Sequence, residues 1–123
     1  MAENFKEDTL IVRAGNSGDL YIRGSYNQIR TSSHGNGDIY LAGSCNSFYI
    51  YTKGINFVHA EDLKIKDYAF VHSITLGDCF INAKSLTRLE INIQDQGNVY
   101  YSGEPTFLVD YNNGTGKGKI IKQ

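Results

Sequence analysis

The sequence predicts an all-β fold, a single-domain right-handed parallel β-helix (solenoid) of about five to six turns with about 20 residues per turn. Three observations carry this. The segment Gly18-Asp-Leu-Tyr-Ile-Arg-Gly24 recurs as Gly37-Asp-Ile-Tyr-Leu-Ala-Gly43, as Gly77-Asp-Cys-Phe-Ile-Asn-Ala83 and as Gly97-Asn-Val-Tyr-Tyr-Ser-Gly103. These starts lie 19, 40 and 20 residues apart, and the doubled middle gap asks for one more copy, which Asn56-Phe-Val-His-Ala-Glu-Asp62 supplies. Finally, 13 glycines and 9 tyrosines against one proline and no tryptophan describe many tight turns and many β-favouring residues, so helix should be scarce.

A repeat of this length, with two or three short strands, cannot bury its apolar side alone, so successive copies must stack. Parallel pairing of each strand with its equivalent one turn on gives rungs ~4.8 Å apart. Antiparallel hairpins are the rival, but they give no reason for an aromatic to return at one offset in every copy. The right hand is the one expected of parallel crossover connections.

Residues 1–8 read as a polar lead-in, and Thr9-Leu-Ile-Val12 as a first short strand. Starts then fall at 18, 37, 56, 77 and 97, with a sixth expected at 116. Offset +2 holds Leu20, Ile39, Val58, Cys79 and Val99, and offset +4 holds Ile22, Leu41, Ala60, Ile81 and Tyr101. Residues two apart on a strand share a side, so these two columns are the expected core. Offset +3, Tyr21, Tyr40, His59, Phe80 and Tyr100, must point the other way. Offset +6, Gly24, Gly43, Asp62, Ala83 and Gly103, is small at four places of five and marks a bend. A second strand is expected later in each turn, with Ile29, Phe48 and Leu108 at +11 and Tyr51, Phe70, Ile91 and Tyr111 at +14. The window 61–70 has some helical character, but its alternation fits a strand. Polar joints at 31–37, 94–97 and 112–116 close the turns. Residues 1–12 and 114–123 are expected to cover the two ends of the solenoid, and association between chains is the expected remedy if either fails.

At 123 residues there is room for one ordinary core. A net charge of -1, from 12 basic and 13 acidic residues, provides no electrostatic footprint for nucleic acid or an anionic membrane. No apolar run approaches the ~18 residues of a membrane span. The charged start lacks the pattern of a signal peptide. A cytoplasmic protein and one whose leader has been removed would both read this way. Cys45 and Cys79 stand at different offsets, +8 and +2, so they are expected to be buried free thiols rather than a disulfide.

Asp19, Asp38, Asp78 and Asn98 share offset +1 and could chelate a hard cation. The simpler reading is that Gly-Asp and Gly-Asn are turn pairs satisfying local amides. Carboxylate pairs for glycoside cleavage could be nominated at Glu61 with Asp62 or at Glu104 with Asp110, without any mark of a raised pKa. His34, His59 and His72 do not form a metal set. No catalytic residue, metal ligand or cofactor is therefore assigned. The column Tyr21, Tyr40, His59, Phe80, Tyr100 is the candidate binding feature: if exposed, it is a strip ~20 Å long suited to a carbohydrate or to another protein chain. The alternative is an aromatic ladder that stabilises the sheet. Asn113-Gly114-Thr115 matches a glycosylation acceptor, best explained by chance.

The segment Gly97-Asn-Val-Tyr-Tyr-Ser-Gly-Glu-Pro-Thr-Phe107 and the closing Asn113-Gly-Thr-Gly-Lys-Gly118 resemble the C-terminal part of the bacterial family named putative auto-transporter adhesin, head GIN domain, and Gly54-Ile55-Asn56 is present as well. The resemblance spans about residues 15–123. It implies a right-handed β-helix of the pectin-lyase kind, an envelope or secreted location, and adhesion rather than catalysis; it supplies no catalytic residues. Against that resemblance the chain is expected to be a short form, without the leader and N-terminal half that such proteins usually carry. Three readings follow: a non-catalytic surface adhesin-like binding or structural module; a polysaccharide-active lyase or glycoside hydrolase; or a purely structural unit that self-associates into a homo-oligomer.

Overall fold

The computed structural model describes residues 9–15, 18–111 and 117–123. Among these there are nine strands and no helix: β1 (Thr9–Ala14), β2 (Leu20–Ser33), β3 (Ile39–Gly54), β4 (Val58–Thr75), β5 (Cys79–Asn82), β6 (Arg88–Ile93), β7 (Val99–Ser102), β8 (Phe107–Asp110) and β9 (Ile120–Lys122). All pair in parallel, each with its equivalent one turn on. The protein is a β-solenoid of about five turns. The expected lead-in over 1–8, the 112–116 joint and the Asn113 acceptor lie outside the described residues.

The first segment of each turn stacks as the repeat predicts. Leu20 pairs with Ile39, Ile39 with Val58, Val58 with Cys79, and Cys79 with Val99. Ile39, Val58, Cys79 and Val99 are buried, as are Leu41, Ala60 and Ile81 of the neighbouring +4 column. A sixth rung follows, but its start is Gly118 rather than residue 116, because Ile120 pairs with Val99. Residues 120–122 thus extend the ladder of β5 and β7.

The later strand carries a second pair of inward columns. Ile29, Phe48, Ala69 and Leu89 stack in one, and Thr31, Ile50, Val71 and Ile91 in the other. Fully buried Phe48 lies beside Ala69, so a small side chain makes room for the largest one in the core. Leu108 ends the first of these columns at 43% exposure.

Two local insertions alter the expected register. β4 carries an extra residue opposite Tyr40–Ala42 and another opposite Cys45–Ser47. Asp62 consequently pairs with Ala42 and is exposed, while Leu63 pairs with Gly43 and is buried. The +6 position therefore admits a large side chain in the third turn, contrary to the expectation of a uniformly small column. The +14 grouping is also overturned: Tyr51 pairs with His72, Phe70 with Tyr49 and Glu90, and Ile91 with Val71. Only Ile91 of those four points inward.

Turn corners are fixed by backbone proximity. A Cβ on Gly77 would lie 1.9 Å from the Asn56 carbonyl oxygen, and one on Gly97 the same distance from that of Gly77. Asn56 is the member of this column with a side chain, and it is turned inward. Its Nδ2 donates to the Gly37 carbonyl (3.2 Å), its Oδ1 accepts from Thr52 Oγ1 (3.0 Å), and its backbone N–H donates to Thr75 Oγ1 (3.0 Å). Ser33 Oγ completes the buried chain by donating to Thr52 Oγ1 at 3.1 Å.

Gly77→Ala and Gly97→Ala should each lower stability by about 3 kcal/mol or more. Gly18→Ala, in the same column but with no described residue within 4 Å of a new Cβ, should be near neutral. Urea midpoints test this; equal effects at all three positions would show that carbonyl crowding is not the cause.

Candidate functional site

Alternation along β2, β3, β4, β5 and β7 turns offset +3 outward, and pairing places each member directly beside the next. Ring centroids are 4.6 Å apart for Tyr21–Tyr40, 4.6 Å for Tyr40–His59, 5.2 Å for His59–Phe80 and 5.1 Å for Phe80–Tyr100, with planes within 9° of parallel. Since carbon atoms touch at ~3.5–4.0 Å, near-parallel rings at these separations form an offset stack, which the ring quadrupole favours. Ile121 pairs with Tyr100 and continues the column, a member missed when the sixth turn is started at 116.

Stacking decides what the column offers. Each inner ring has a neighbour on both faces, so its edge, with the Tyr40 and Tyr100 hydroxyls, is what remains for contact. Tyr21, at the N-terminal end, has a described ring on one side and is 72% exposed; the other four members are half-buried. Partial burial, followed by the Asp38 carboxylate, raises the Tyr40 hydroxyl above its ordinary pKa. A shallow groove of about 540 Å³ runs beside the column past Arg23, Ala42, Glu61 and Asp62. Glu61 Oε1 lies 3.7 Å from His59 Nδ1.

The +1 column serves the backbone. Asp19 Oδ1 accepts the Asp38 N–H (3.0 Å), Asp38 Oδ1 that of Phe57 (3.2 Å), Asp78 Oδ1 that of Asn98 (2.8 Å) and Asn98 Oδ1 that of Lys119 (2.8 Å). Each side chain satisfies an amide one turn on, at the start of the next rung. Among the described residues no three His, Cys, Asp or Glu side chains gather as a metal-holding group. Of the nominated acids, Glu104 is ion-paired with Lys122 and Asp110 ends β8. Cys45 and Cys79 are buried free thiols, each pushed up to about 12 by burial, so neither has the thiolate character of a nucleophile.

The later strand presents a second outward face that the sequence reading missed. Its central rungs carry Tyr49 and Tyr51 on β3 and Tyr68, Phe70 and His72 on β4. Below them lie Arg13 and Arg30, and above them Arg88, Glu90 and Phe107. Rings here are tilted or edge-on: Tyr49–Tyr68 at 57° and Tyr51–His72 at 88°. The two extra residues of β4 displaced these positions from a fixed-offset count; restarting the count at Tyr68 would have aligned them. Glu90 is held by Arg88 Nε at 2.5 Å and Tyr68 Oη at 2.7 Å. These bonds, Arg88's first, depress its carboxyl pKa against the opposing effect of burial, while burial and the Glu90 bond raise Tyr68.

The model of the family described as Putative auto-transporter adhesin, head GIN domain, matches residues 1–105. The chain belongs to this family. The matched region includes 97–105 of the segment that carried the resemblance, and the 113–118 finish lies beyond it. No curated protein and no solved structure matches this GIN-domain chain.

Because the folded carboxyl of Glu90 is depressed, its contribution to stability is present above the unfolded value near ~4.3 and is lost as pH falls through the folded value. Glu90→Gln should therefore be less stable than wild type at pH 7, with a smaller gap at pH 3. Urea melts at both pH values check this, and an unchanged gap would remove the ionic role.

Proposed function

We propose that this GIN-domain chain is a non-catalytic adhesive module, displayed at the cell surface or envelope, that meets another protein chain along the column Tyr21, Tyr40, His59, Phe80, Tyr100. The observation that carries this reading is the unbroken row of ring edges on a rigid parallel scaffold. Edges and phenol hydroxyls suit the mixed apolar and polar side chains of an opposing protein surface. A carbohydrate needs open ring faces for stacking, and along this column the inner rings have none: Tyr100 has Ile121 beside its second face, which leaves the outer face of Tyr21. Membership of an adhesin head family supports the general role and the location.

The rival polysaccharide-active enzyme would need two carboxylates converging on one bond. Glu61 and Asp62, which line the groove, are neighbours on the bulged part of β4 and both are exposed. Release of reducing sugar from polysaccharides by the purified protein would overturn the non-catalytic reading.

Display on a non-adherent bacterium should confer attachment to protein-coated surfaces such as fibronectin, laminin or mucin. Tyr40→Ala with Tyr100→Ala should reduce attachment at least tenfold, and Tyr21→Ala, which touches the end of the stack, should reduce it while leaving the thermal melt in place. Attachment unchanged in both variants, or absent from the wild type on every surface, would dispose of the proposal.

A further inference from the structure

We infer that the second outward face holds an independent binding site for an anionic saccharide, a pyranose bearing a carboxylate. The site is the groove of about 720 Å³ lined by Arg13 and Arg30 on one side and by Tyr49, Tyr51, Phe70 and His72 on the other.

Three features of this groove differ from the stacked column and point to that ligand. The first is charge. Both arginines are exposed, and among the described residues no acidic side chain lines the groove and no carboxylate pairs with either guanidinium. This local positive sign stands against a chain whose net charge is -1, so it belongs to the groove and not to the protein at large. A guanidinium matches a planar carboxylate through two parallel hydrogen bonds.

The second feature is ring orientation. Tyr51 meets His72 edge-on at 88°, and Phe70 meets His72 at 64°. Such tilts leave ring faces unoccupied by parallel neighbours, and a pyranose presents an apolar C–H face that packs on one. The Arg30 guanidinium already lies 4.5 Å from the centre of the Tyr49 ring, so charge and ring are held together in one unit. The third feature is unmet polarity: His72 Nε2 has no hydrogen-bond partner among the described residues. The opposite end of the same face lacks the charge, because Arg88 is neutralised by Glu90. The site is therefore confined to the N-terminal half of the face.

The test is affinity electrophoresis of the whole chain through gels containing polygalacturonate, neutral dextran or dextran sulfate. Polygalacturonate should retard the wild type and dextran should not. Arg13→Gln with Arg30→Gln should weaken retardation at least tenfold, as should Tyr51→Ala. The Tyr40→Ala, Tyr100→Ala variant should bind polygalacturonate like the wild type, which separates this site from the proposed protein contact. Absence of retardation by polygalacturonate, or retardation unaffected by the arginine substitutions, overturns the inference. Retardation by dextran sulfate equal to that by polygalacturonate also overturns it, by showing that only charge is read. Circular dichroism melts of each variant separate lost binding from lost fold.

Discussion

The parallel ladder, in which every residue lies one strand spacing from its counterpart in the next turn, is the constraint on which the rest of the molecule depends. A side chain must be compatible with its own like at ~4.8 Å. Apolar residues meet this by filling columns such as Ile39, Val58, Cys79, Val99. Aromatic residues meet it by stacking. Acidic residues in register would repel, and the +1 column avoids this by spending an oxygen of each carboxylate on a backbone amide in the next turn. At the corners the backbones themselves close up, and glycine is the residue that fits.

The same constraint explains how much of the protein could be read from its letters. Leu20, Tyr21 and Ile22 find their partners by simple addition of 19 because β2 and β3 match residue for residue over this stretch. The Asn56 copy, the apolar +2 and +4 columns and the +3 row were legible for that reason, as was the family. Past Ala60 the count fails. β4 holds two residues more than β3 over the matching span, and an insertion inside a strand leaves no compositional trace such as a glycine or proline at Glu61 or Asp67. Tyr51, Phe70 and Ile91 were therefore grouped although the fold separates them. The second outward face, Tyr49 to His72 with its arginines, stayed hidden. Geometry hid something else: the letters at +3 show aromatics, but not that their faces are turned to one another.

The two outer faces consequently make different use of similar residues. On the first, uniform register leaves five rings parallel and commits their faces to the stack, which stiffens the sheet and leaves edges outward. On the second, rings meet at angles and share the face with arginines. A regular scaffold thus supplies two chemically distinct surfaces.

Near-identical coils carry an inherent hazard, since a growing stack can slip by a whole repeat and still find aliphatic beneath aliphatic. Asn56 guards against it. Its amide finds its acceptor and donor in Gly37 and Thr52 and its backbone N–H meets Thr75, a set no other coil reproduces among the described residues. Displaced by one repeat, its buried backbone N–H would lose the Thr75 hydroxyl, at a cost of about 1–3 kcal/mol. One polar residue in an otherwise glycine position thereby numbers the coils, telling each which neighbour is its own.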